Sequence, residues 1–406
     1  VIFVICACYP LVVAASPQIT IISNPRDERS QAITAGCPTL LRGFRPAPLL
    51  VSGHFQTGTV LLRKGPMVIY DREVVPLTPN HEVRKGFGGE GFVTLDWVTR
   101  TYDASSHGPH GRKHAPNTAI LVILHGLSGG SQESYVRCFA TSAATRGMRA
   151  VVINNRGCAG ASLATPQAYS AAWTDDVRTA IEHIRSTHPT APMVAAGFSL
   201  GANILGKYLG EEGASGKNPF LAACVVSNPY QLNGANAMMR KGLGPLYDRV
   251  LCKGLVTTFS RHSGVMAKRG DLPDWERVKE SHTVLEFDDR HTRRVYGYES
   301  AEAYYDDASS SHWLPLVACP LLNLVAEDDF LLPPCKEGYE KLSQTNPNVV
   351  TALTPRGGHV AWHEVLHRRC EQWGDRACIE FLISALEVSR NLPPPGGGGA
   401  DVTGVV

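Results

Sequence analysis

The feature that most restricts this chain is an alternation, from about residue 67 onward, of short apolar runs with segments of helical period. Met67–Val75, Phe92–Tyr102, Ala119–Leu124, Arg149–Asn154, Met193–Phe198, Leu221–Val226, Leu321–Ala326 and Val349–Leu353 are rich in Val, Ile and Leu. Several are apolar throughout, which suits strands covered on both faces. Glu133–Arg146, Ala172–Ser186, Leu200–Leu209, Lys336–Ser343 and Glu371–Val388 lie between or after them with a helical pattern. Strands interleaved with helices imply an α/β fold, a mostly parallel central sheet with helices on both faces. The span from Tyr230 to Trp313 breaks the rhythm and is rich in Arg, Tyr and Asp. It reads as an insertion over the carboxyl edge of the sheet, a lid, about 230–313.

Composition narrows the class. The chain has 406 residues, 43% of them hydrophobic and 19% charged, enough apolar material for one large core. Its 39 basic and 37 acidic residues nearly cancel, so the field that supports nucleic-acid binding is missing. The 11 cysteines form no CxxC pair, which excludes a zinc ribbon by spacing. A disulfide framework does not suit a chain of this length, and no Asn-x-Ser/Thr site occurs. A reduced, cytosol-facing body is expected. Residues 1–25 carry no charge, and VIFVICACYPLVVAA is strongly apolar, although a spanning helix needs roughly 20 such residues and Pro10 interrupts this one. A signal peptide, a retained membrane anchor and a buried segment compete here. The anchor is the expectation, hence a membrane-associated protein, for instance of the endoplasmic reticulum, with a cytoplasmic one as the alternative. The main domain is expected over 51–391, and the PPPGGGG run opens a disordered tail at 392–406.

Gly197-Phe198-Ser199-Leu200-Gly201 stands where an apolar strand meets a helical pattern. GxSxG by itself is weak, and an ordinary serine cap of a βα unit is the plain alternative. A serine on a sharp strand-to-helix turn, however, needs small neighbours at both ±2 positions. That turn lifts the hydroxyl to the sheet edge and aims the N–H groups of the following helix at a developing oxyanion. Ser199 is therefore the candidate nucleophile. Upstream, His125-Gly126-Leu127-Ser128-Gly129-Gly130 follows another strand. Two backbone donors are expected to converge on one oxygen, from Leu200 and from Leu127. The phosphate-loop pattern GxxxxGK[ST] is absent there, and His125 is expected to brace the loop.

A serine nucleophile needs a base and an orienting carboxylate, in the chain order Ser, acid, His on this kind of sheet. Glu327-Asp328-Asp329 follows the penultimate strand, and His359 stands behind two glycines after the last one. We assign Asp328 as the acid, with Asp329 its main rival, and His359 as the base. His363-Glu364-Val365-Leu366-His367 also fits HExxH, with Glu387 as a possible third ligand. A zinc peptidase is thus a remote alternative, one that leaves His359 unexplained.

The motifs together resemble the AB hydrolase 4 family of the α/β-hydrolase superfamily, over about residues 51–385. SGHFQT (Ser52–Thr57) is similar to that family's amino-terminal Gly-His-Leu-Gln-Thr signature. GFVTLDW (Gly91–Trp97), HGLSGGSQESYVR (His125–Arg137), NNRGCAG (Asn154–Gly160), GFSLGANILGKYLGEEG (Gly197–Gly213) and LEFDDRHTRRVYGYESAEAYYDDASS (Leu285–Ser310) follow in order. The family includes membrane-anchored phospholipid hydrolases, yeast medium-chain ethyl-ester synthase/esterases and a bacterial esterase branch. The resemblance implies an α/β-hydrolase fold, a Ser199–His359–Asp328 triad, and lipid or small esters as substrates. It implies hydrolysis through an acyl-enzyme, acyl transfer to alcohols as a further possibility, and no metal or organic cofactor. Glu327 adds a third carboxylate that the family pattern lacks. The alternative is a catalytically idle scaffold that binds lipid or protein.

Overall fold

The computed structural model describes residues 19–62, 65–77, 91–102, 114–268, 275–333, 335–364 and 371–391. Among them nine strands form one sheet, in the order β1-β9-β8-β7-β6-β4-β5-β3-β2. The strands are β1 (Thr20–Ile22), β2 (Met67–Leu77), β3 (Gly91–Tyr102), β4 (Ile120–Leu124), β5 (Arg149–Asn154), β6 (Met193–Phe198), β7 (Ala222–Val226), β8 (Leu321–Ala326) and β9 (Val349–Thr354). From β5 across to β9 the pairing is parallel, whereas β1, β2 and β3 join antiparallel at the two edges. All residues of β4, β6, β7, β8 and β9 are buried, the physical basis of their unbroken apolar sequence.

Helices cover both faces. Leu121 and Ile123 point to the side packed by α4 (Ser134–Thr145) and α11 (Trp373–Asn391). Ile120, Val122 and Leu124 point to the side packed by α5 (Asp175–Thr187), α6 (Leu200–Ala214) and α10 (Lys336–Thr345). The period of two along β4 thus divides one apolar run between two cores. Each such fully buried Ile or Leu contributes roughly 1.5–3 kcal/mol relative to exposure.

The amino-terminal region differs from the expectation. Thr20–Ile22 lies inside the segment assigned as an anchor, 1–25, yet it is an edge strand paired with Thr351–Leu353 of β9. Three residues are too few to show a period, and this strand owes its place to its partner. Helices α1 (Glu28–Ala35), α2 (Pro38–Arg42) and α3 (Gly53–Leu62) follow, and α1 and α2 pack on α11, so the domain begins well before residue 51. Residues 1–18 and the tail expected over 392–406 lie outside the described residues. No helix among the described residues is long and apolar enough to cross a membrane.

Between β7 and β8 the chain leaves the sheet and builds a helical cover. It includes α7 (Leu232–Met238), α8 (Gly244–Ser260), a π-helical turn at Asp288–Thr292 and α9 (Ala301–Ala308). Leu255, Phe259, Trp275, Val278 and Phe287 give it a core of its own, shared with Cys158 and Tyr169 of the sheet-edge loops.

Candidate active site

The β6–α6 junction is bent to its limit. Ser199 has φ +52° and ψ −121°, a conformation that side-chain-bearing residues rarely adopt. The two flanking glycines are there for space. A Cβ on Gly197 would stand 2.5 Å from the Gly201 carbonyl oxygen, and one on Gly201 would stand 2.3 Å from that of His125. The Ser199 N–H donates to Val226 O of β7 at 2.9 Å, which ties the bend to the sheet.

His359 reaches this serine from the loop after β9. Its Nε2 is 2.8 Å from Ser199 Oγ, and its Nδ1 is 2.8 Å from Asp329 Oδ2. With the proton on Nδ1, donated to the carboxylate, Nε2 accepts the serine hydroxyl. The Asp329 side chain is fully buried, and its other oxygen accepts the Leu331 N–H at 3.0 Å.

The expectation that Asp328 holds the histidine is therefore corrected: Asp329 holds it. Asp328 accepts the Gly358 N–H at 2.9 Å, and Arg356 stands 3.9 Å away. It braces the histidine loop through its backbone. Burial pushes the Asp328 carboxyl above its usual range, with the Gly358 bond and Arg356 opposing. Glu327, still tied to β9 by its N–H to Thr354 O at 2.8 Å, is exposed. Successive residues of a turn face different ways, and three adjacent carboxylates conceal which one meets the imidazole.

The glycine loop abuts Ser199, since a Cβ on Gly126 would lie 3.4 Å from Ser199 Cβ. Two tyrosines hold it, Tyr169 buried and Tyr135 half-buried. Gly126 N–H donates to Tyr135 OH and Ser128 N–H to Tyr169 OH, both at 2.8 Å. Leu127 lies between these tethered amides and, with Leu200, lines the cavity beside Ser199. His125 braces the loop: it accepts Asn155 N–H through Nε2 at 3.2 Å, and full burial lowers its pKa to about 4, so it is neutral. Below it Asp96 binds Arg72 at 2.7 Å and accepts from Asn154 at 2.9 Å and from Ser131, anchoring the loop to β3 and β5.

Sequence reasoning did not find the second support of the histidine. The SGHFQT segment opens α3, and its side chains clamp the loop after β9. Thr57 Oγ1 accepts the His359 N–H at 2.8 Å and donates to Gly53 O at 2.8 Å. Gln56 Oε1 accepts the His363 N–H at 2.7 Å, while its Nε2 donates to His363 O at 3.2 Å. The motif was visible as a signature; its contact, some 300 positions away, was not. The same clamp accounts for the first half of HExxH. Residues 361–364 are not helical, Trp362 has φ +54°, and Glu364 pairs with Arg376. His367 lies outside the described residues.

A cavity of about 110 Å³ opens at Ser199 and His359 and runs under the lid. Leu200, Met239, Leu251, Leu255, Phe259 and Phe287 make most of it apolar. Asp288 stands in its wall, held by Thr292 Oγ1 at 2.6 Å and Tyr305 OH at 2.8 Å. Burial raises the Asp288 carboxyl to about 6.

Compared with known proteins, residues 119–364 match the family described as alpha/beta hydrolase fold. The chain belongs to the α/β-hydrolase family. It is 31% identical over 390 residues to phospholipase ABHD3 of Homo sapiens, covering 94% of this chain and 87% of that protein. To medium-chain fatty acid ethyl ester synthase/esterase 2 of Saccharomyces cerevisiae it is 28% identical over 408 aligned positions, covering 85% and 87%. To the putative esterase YheT of Escherichia coli it is 31% identical over 297 residues, covering 73% and 82%. These relatives place the chain with the AB hydrolase 4 group, whose members here are esterases and phospholipases.

Proposed function

We propose that this chain is a serine carboxylic-ester hydrolase that acts on lipid esters through an acyl-enzyme. The observation that carries the reading is the Ser199–His359 contact of 2.8 Å at the mouth of an apolar cavity. Ser199 Oγ attacks the ester carbonyl as His359 Nε2 takes its proton. The Leu127 and Leu200 N–H groups hold the oxyanion, each donor being worth roughly 10²–10³ in turnover. Asp329 fixes the tautomer of His359 and stabilises the imidazolium. The alcohol leaves with the proton from Nε2, and water, activated by the same nitrogen, releases the acid. The cavity takes the acyl chain, so acylglycerols, phospholipids and medium-chain esters are the substrate class. An alcohol in place of water at the second step makes a new ester, the chemistry for which the yeast ethyl ester synthase/esterase is named.

Membrane attachment through the apolar first residues belongs to the same reading. It rests on the run VIFVICACYPLVVAA, which precedes β1.

Labelling by a fluorophosphonate probe tests the proposal. The native chain labels and Ser199→Ala does not; an unlabelled native chain would favour a catalytically idle scaffold. A series of p-nitrophenyl esters, with and without ethanol, then reads chain length and the balance of hydrolysis and transfer.

A further inference from the structure

The outer face of α8, with the turn before it, has no part in the chemistry just described. Leu243, Leu246 and Val250 are 48%, 61% and 56% exposed. Their spacing of three and four residues sets them in one stripe. Arg240, Lys241, Arg249 and Lys253 are exposed around that stripe. The acidic residue of this stretch, Asp248, is turned inward and accepts Val284 N–H at 2.7 Å. The opposite side of the same helix supplies Leu251 and Leu255 to the cavity wall. Tyr247 joins the stripe to the catalytic loops: its OH is 3.1 Å from His54 Nδ1 of α3, and its ring stacks on Phe330 at 3.8 Å. Phe55, next to His54, is 64% exposed.

Single exposed apolar residues need no explanation. Three on one helical stripe, framed by four cations and with no outward acid on the same stretch of chain, make the pattern of a helix that lies in a lipid interface. We propose that this face of α8 docks the enzyme on the surface of an anionic lipid bilayer, with Leu243, Leu246 and Val250 entering the headgroup region. The inference rests on the reading of the cavity as a lipid-acyl site, because docking there brings the cavity wall to the substrate's own phase.

The test uses the full chain. In a Ser199→Ala background, which spares the lipid, Leu246→Trp places a fluorophore on the face. Vesicles of phosphatidylcholine with phosphatidylserine, both carrying brominated acyl chains, quench the added emission; phosphatidylcholine vesicles alone quench it far less. The readout is local, so an apolar amino terminus that binds vesicles by itself does not produce it. Each cation contributes roughly fivefold to partitioning, so Arg249→Ala/Lys253→Ala lowers the lipid dependence of this quenching about 30-fold, and added salt does the same. In the otherwise native chain that pair slows hydrolysis of vesicle-borne ester and leaves p-nitrophenyl butyrate turnover unchanged. Three results overturn the proposal: no added quenching, equal quenching by neutral and anionic vesicles, or equal loss on vesicle-borne and soluble esters. A native chain that hydrolyses neither ester refutes the esterase reading instead, and the quenching still decides the docking.

Discussion

Replacing either of two adjacent aspartates by asparagine separates the two assignments of the acid. In Asp329→Asn, His359 Nδ1 faces an amide instead of a carboxylate at 2.8 Å. At that separation, and at an effective dielectric of about 20, the charge pair formed when His359 takes the serine proton is worth ~6 kcal/mol. At 1.36 kcal/mol per decade this corresponds to about four orders of magnitude in kcat, the loss typical of removing the acid from such a triad. Asparagine is isosteric, and its Oδ1 can still accept the Leu331 N–H, so Tm should move little. In Asp328→Asn the acceptor for Gly358 N–H is preserved, and the loss should stay within roughly tenfold. The assay is kcat on a soluble p-nitrophenyl ester, with Tm measured beside it. If Asp328→Asn lost thousands-fold while Asp329→Asn stayed near native, the assignment of Asp329 would be refuted.

Further outcomes follow from the same geometry. Gly201→Ala drives a Cβ into the Leu124 and His125 carbonyl oxygens, at 2.5 and 2.3 Å, and should cost more than ~3 kcal/mol in urea unfolding, with fluorophosphonate labelling lost. Tyr169→Phe leaves the Ser128 N–H without its acceptor; we expect about 1–3 kcal/mol lost and kcat lowered more than KM is raised. Thr57→Val removes the acceptor of the His359 N–H, so kcat should fall and Thr57→Ser should restore it. Asp288→Asn tests the buried carboxyl in the cavity wall. Burial lifts it to about 6, above its unfolded value of about 4, so the folded chain holds a proton that the unfolded chain has released between those two pH values. Native stability should therefore fall relative to Asp288→Asn as pH rises from about 4 to about 6, by up to ~3 kcal/mol, and the difference should level off above that window.

The β-strands were readable because each is short, apolar and flanked by turns, and burial on both faces writes itself as an unbroken run. The elbow at Ser199 was readable because steric crowding at ±2 admits only the smallest residues. Three things were not. β1 has three residues and no period, and it exists only because β9 offers an edge. The choice between Asp328 and Asp329 depends on the direction of a turn, which neighbouring identical side chains cannot reveal. The role of Gln56 and Thr57 depends on a contact with residues 359 and 363, far along the chain.

The sequence by itself therefore determined the layered architecture and the placing of Ser199 and His359 at the carboxyl edge of the sheet, since local period and local crowding leave marks on composition. The tertiary structure alone decided which carboxylate meets the imidazole, what holds the loops after β4 and β9, and which face of α8 stands open. Those depend on the direction in which side chains point once distant segments meet, and no periodicity along the chain records that.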